Sequence, residues 1–99
     1  MQVIHQPRVA WDTARMIGAA LFGDERLFGW LRAELGTLFG PATVAALDES
    51  RDRVRRAGPA RLPVEAGRWR VRLEDELRQR PELAGDLAGL VAIGRAHRP

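Results

Sequence analysis

The chain has 99 residues, no cysteine and a formal net charge of +3. This length suits one domain that folds around a core without cross-links, and the lack of cysteine excludes disulfides and thiolate metal sites. All 16 basic residues are arginine, which holds its proton far above neutral pH, so the isoelectric point of 11.2 overstates how basic the protein is.

Export and membrane insertion are not indicated by the sequence. His5, Pro7 and Arg8 interrupt the region where a secretory signal needs a continuous apolar run. The longest apolar stretch, residues 16–23, is shorter than the roughly 20 residues that a transmembrane helix needs. We therefore expect a soluble, cytoplasmic, single helical domain over residues 1–99, with ends that fray at about 1–7 and 95–99.

Helical periodicity begins near the amino terminus. The first predicted helix spans residues 9–22 and stops at Gly23, which suits a helix C-terminus. The second follows Asp24, a good N-cap, and carries leucines three or four residues apart, at positions 27, 31, 35 and 38. Gly40-Pro41 ends this helix and begins the third, because proline favours the first helical position.

The third predicted helix ends at Gly58-Pro59 and is mostly charged beyond Leu47, so we expect that half to lie along solvent. Residues 60–64 are predicted to form a loop. A fourth helix is expected over residues 65–80, where Trp69, Leu73 and Leu77 stand four apart, and a fifth over residues 82–93.

These segments predict an all-α fold: a single compact bundle of four or five helices with the second helix at its centre. The predicted core consists of the apolar residues that recur on one face of each helix: Ile17, Leu21, Leu27, Leu31, Leu35, Leu38, Val44, Leu47, Trp69, Leu73, Leu77, Leu83, Leu87 and Leu90.

The carboxy-terminal half has a recognisable pattern. Residues 69–73 read W-R-V-R-L, residues 81–84 read P-E-L-A, and a leucine-rich helix follows; near the other end, residues 11–15 read W-D-T-A-R. This resembles small uncharacterised helical proteins common in actinobacteria, some of which are similar to death-domain-like adaptor modules of bacterial defence or signalling systems. The resemblance implies a helical adaptor and no activity of any single residue.

Catalytic, cofactor and metal chemistry lack candidate residues. The single serine, Ser50, falls in a charged helical run and is expected to be solvated, while His5 and His97 fall in the chain ends. The acidic runs at 48–52 and 74–76 are interleaved with arginines and are expected to form salt-bridged helix surface. In addition, no glycine pattern matches a phosphate-binding loop. From these three observations together we expect no enzyme, no cofactor and no metal.

The densest basic patch lies in the third helix and just after it, and it would suit nucleic-acid phosphates or an acidic protein. Nearby acids oppose it and no aromatic side chain lies beside it for base stacking, so a solvated helix surface is favoured. The patch comprises Arg51, Arg53, Arg55, Arg56 and Arg61.

Helix two is apolar nearly all round between Leu27 and Leu31, because Phe28 and Trp30 flank its leucine stripe. Such a helix is either central or part of an interface. Phe28 and Trp30 are therefore the candidate partner interface. The sequence favours a protein–protein interaction or self-association module, with nucleic-acid binding through the basic patch as the alternative.

Overall fold

The computed structural model describes residues 5–96, which form five α-helices and no strand. This is the all-α bundle that the periodicity predicts. The helices, with one 3₁₀ turn at Pro59–Arg61 between the third and fourth, are α1 (Gln6–Ala20), α2 (Glu25–Phe39), α3 (Pro41–Ala57), α4 (Leu62–Gln79) and α5 (Leu83–Ala96). In this part of the chain, no helix has the length and apolar character needed to cross a membrane.

The central helix of the bundle is α1 rather than α2. It packs most extensively against α4, and it also contacts α5 and α2. The prediction of a central second helix was wrong because small residues, rather than large ones, determine how closely two helices approach. Ala10, Ala14 and Gly18 are buried in α1, and a Cβ atom at Gly18 would lie 3.6 Å from the Cβ of Ala66 in α4.

The hydrophobic core agrees closely with the predicted one. Every predicted core residue is buried except Leu38, Val44 and Leu83, which are half-buried. Val44 lies where α2 and α3 approach each other, since a Cβ atom at Gly36 would lie 2.7 Å from its Cγ2 atom. Gly36 therefore permits close packing of these two helices.

Two predicted boundaries differ from the structure. Residues 60–64, predicted as a loop, belong to the 3₁₀ turn and to the first turn of α4, where Pro63 takes a position that favours helix initiation. Helix α1 begins at Gln6 and α5 ends at Ala96, so each reaches three residues beyond its predicted limit, and the fraying of the chain ends stays a prediction. His97 and the other chain-end residues lie outside the described part.

The breaks around α3 both depend on glycine. Gly40 has φ 97° and ψ −177°, and Gly58 has φ 90° and ψ 177°, a backbone region essentially restricted to glycine. Each glycine also precedes a proline, which disfavours continuation of the helix. Gly40 ends α2 by donating its N–H to the Gly36 carbonyl at 2.8 Å.

We expect Gly40→Ala and Gly58→Ala each to lower the free energy of unfolding by about 1–3 kcal/mol. A Cβ atom at either site meets nothing within 4 Å, so the loss arises from backbone strain alone. Gly89→Ala is the matched control, because that helical glycine also has open space. It should stabilise the protein by roughly 0.5–1 kcal/mol. Urea denaturation of the three variants measures these effects, and a loss of stability shared by all three would contradict the account.

Candidate interaction surface

Phe28, one of the two predicted interface residues, is a core residue. Its side chain is only 2% exposed, and the Arg51 guanidinium lies 4.1 Å from the centre of its ring. Trp30 is half-buried and packs against the core, with its ring close to Gly94 in α5. Phe28 therefore offers no surface to a partner, and Trp30 offers only part of its ring.

Four of the five arginines in the predicted basic patch are paired with carboxylates of this chain. Arg51 and Arg55 reach Glu25, at 3.5 and 3.0 Å, while Arg53 and Arg61 both bind Glu65. Within residues 5–96, Arg56 is the one member without a carboxylate partner, and its Nε donates to the Asp52 carbonyl at 3.4 Å. Because two carboxylates are shared by four arginines, the patch keeps a net positive charge, and nucleic-acid binding through it stays a prediction.

Glu65 is the centre of a buried ion-pair network between α3 and α4. Its carboxylate is fully buried and accepts two hydrogen bonds from Arg53, at 2.8 and 2.9 Å, and one from Arg61 at 3.0 Å. The Ser50 hydroxyl oxygen accepts the indole N–H of Trp69 at 2.9 Å and a guanidinium N–H of Arg53 at 3.2 Å. Bidentate arginine–carboxylate geometry makes this a strong pair.

The prediction that Ser50 is solvated was wrong, because its side chain is only 2% exposed. Val54 is also buried, so a narrow stripe in the second half of α3 faces the interior, while the other residues of this half are exposed or half-buried, as predicted. One sequence signal could have revealed this network. Glu65 stands four residues before Trp69, on the same helical stripe as Leu73 and Leu77, and therefore faces the core.

Because of this network, the protein should lose stability at acid pH. Hydrogen bonds from Arg53 lower the pKa of Glu65 from 4.5 to about 2; those from Arg61 and Ser50 add to this, although burial alone would raise it. Because the unfolded chain binds the proton more readily, the free energy of unfolding should fall as pH drops from 4.5 towards 2, by roughly 3 kcal/mol in all.

Urea denaturation across this pH range, compared with Glu65→Gln, measures the effect. The variant should lose this part of the pH dependence. Equal slopes for the two proteins would contradict the assignment of the acid sensitivity to Glu65.

A partly apolar, exposed face lies between α1 and α4. Trp11 is 41% exposed on α1, and Val64 and Val71 are each 49% exposed on α4. Val64, Gly67 and Val71 follow the three-and-four spacing of one helical stripe. Between the two helices lies an open groove of about 650 Å³, lined by Pro7, Arg8, Trp11, Gly67, Arg70 and Glu74. We call these residues, with Val64 and Val71, the Trp11 face.

Arginines surround the Trp11 ring. The guanidinium of Arg15 lies 5.7 Å from the ring centre and that of Arg70 lies 5.9 Å from it. The two nearby carboxylates are largely covered: the Asp12 side chain is 20% exposed and bridges Arg8 and Arg95, and that of Glu74 is 25% exposed and pairs with Arg70. The accessible charge around Trp11 is therefore mainly positive.

Comparisons with models of known protein families, with curated proteins and with solved structures found no match. The resemblance to small actinobacterial helical proteins accordingly stays a prediction. Within residues 5–96, no group of three or more potential metal ligands lies close together.

Proposed function

We propose that this protein is an interaction module that binds an acidic segment of another protein through the Trp11 face. The observation that carries this proposal is the exposed Trp11 ring, seated beside a groove and flanked by Arg15 and Arg70. This replaces the predicted interface at Phe28 and Trp30, since Phe28 is buried in the core.

The Trp11 face has the composition of an interface centre. Tryptophan and arginine are the residues that most often supply binding energy. Val64, Val71 and the Trp11 ring provide apolar surface, and Gly67 leaves room for a partner side chain to approach the backbone of α4. An apolar side chain of the partner would therefore enter the groove and contact the Trp11 ring.

Charge decides which partner suits this face. Two copies of the chain related by a two-fold axis would bring Arg15 and Arg70 towards their own equivalents, and such like-charge contacts disfavour association. Carboxylates flanking an apolar side chain would instead meet these arginines. The favoured partner is therefore an acidic segment with at least one large apolar residue, rather than a second copy.

Selection from a displayed library of random peptides tests this proposal. Peptides that combine glutamate or aspartate with a large apolar residue should be enriched, and binding should weaken at least about tenfold in Trp11→Ala. Phe22→Ala is the matched control, because that aromatic side chain is 53% exposed outside the Trp11 face. It should leave binding unchanged.

Three results would overturn the proposal. They are enrichment of basic or uncharged peptides, equal effects of the two alanine variants, and a mass in solution at a multiple of 11.0 kDa that falls to the monomer in Trp11→Ala. The last of these would assign the Trp11 face to self-association.

A further inference from the structure

The opposite flank of α4 carries a second surface feature, a cleft against α3. It has a volume of about 390 Å³ and is lined by Ala46, Glu49, Ser50, Arg53, Arg68, Trp69 and Arg72. None of these residues lines the groove of the Trp11 face. The cleft is within the size range of small-molecule sites.

Three guanidinium groups border this cleft, and two of them have no carboxylate partner within residues 5–96. Arg53 is engaged by Glu65, whereas neither Arg68 nor Arg72 forms an ion pair within residues 5–96. The Arg72 Nε–H is buried and has no hydrogen-bond acceptor there. A buried donor without an acceptor is costly, so a ligand oxygen that the Nε–H reaches through a small movement of the Arg72 side chain would remove an existing penalty.

The floor of the cleft is held by hydrogen bonds. The Ser50 hydroxyl is held by Trp69 and Arg53, and the Trp69 ring lies 5.7 Å from the Arg72 guanidinium. Because Trp69 is only 2% exposed, it offers no face on which a nucleobase could stack. The site therefore suits a compact ligand whose recognition depends on charge and hydrogen bonds.

The geometry points to a binding site for a small oxyanion of the phosphate class, held by Arg68 and Arg72. Arginine guanidinium groups match the oxygens of phosphate in a bidentate manner. Glu49, an exposed carboxylate at the same cleft, opposes such a ligand and lowers its affinity. A substitution that removes the charge of Glu49 should therefore tighten binding.

Titration of the protein with pyrophosphate, followed through the arginine Nε–H signals in ¹H–¹⁵N spectra, tests this inference. The Arg72 signal should shift and saturate. Binding should weaken at least about tenfold in Arg72→Gln and Arg68→Gln, because each removes a charged hydrogen-bond donor. Glu49→Gln should tighten it.

Arg78→Gln is the matched control, because Arg78 is on α4, outside the cleft, and pairs with Asp75. It removes the same charge and should leave the affinity unchanged. An Arg72 signal that does not saturate, or an equal loss of binding in Arg78→Gln, would overturn the site. So would a Glu49→Gln variant, shown to be folded by its thermal transition, that binds no more tightly than the wild type.

Discussion

A Glu65→Gln substitution should lower the free energy of unfolding by about 3–5 kcal/mol, the usual cost of breaking a buried ion pair by removing one partner. Glutamine keeps the size of the side chain but not its charge. Arg53 and Arg61, whose side chains are 31% and 33% exposed, would then lose the one buried carboxylate that they share. A loss of this size is a large share of the stability of a small domain.

Glu25→Gln provides the control for this substitution. Glu25 also binds two arginines, Arg51 and Arg55, but its side chain is 71% exposed. An exposed pair contributes about 0–1 kcal/mol, so the control should remain close to the wild type in urea denaturation. Similar losses in the two variants would show that burial does not determine the contribution of Glu65.

Ile17→Ala should cost about 2–5 kcal/mol, because it leaves a cavity in the central helix of the bundle. The Ile17 side chain is fully buried on α1, the helix that contacts α2, α4 and α5. The matched control is Ile93→Ala, since Ile93 is 51% exposed on α5. Surface changes of this kind stay within about 0.5 kcal/mol. A near-neutral Ile17→Ala variant would contradict the placement of α1 at the centre of the fold.

Periodicity was sufficient to predict the helices and most of the core. The leucine stripe of α2 and the Trp69–Leu73–Leu77 stripe of α4 both face inward as predicted. These predictions succeed because burial of one helical face is a local property that spacing reveals. The order of packing is not local, and the small residues that allow α1 and α4 to approach closely were not given that role.

The candidate sites were harder to predict, because they depend on which residues meet across helices. The patch from Arg51 to Arg61 looks basic along the sequence, yet its main partners, Glu25 and Glu65, lie outside it. Ser50 looks solvated in a charged run, but it is buried and accepts a hydrogen bond from Trp69 of α4. Conversely, the spacing of residues around Trp11 gives no sign that α4 leaves its ring accessible.

Chemical-shift mapping of the protein during titration with a selected acidic peptide tests the central claim most directly. The chain contains three tryptophans, and their indole N–H signals report on three different environments. The account predicts that the Trp11 signal and the Gly67 amide shift as the peptide binds, while the Trp69 signal does not. Shifts centred on Trp30 and the residues around Phe28, with Trp11 unchanged, would contradict it.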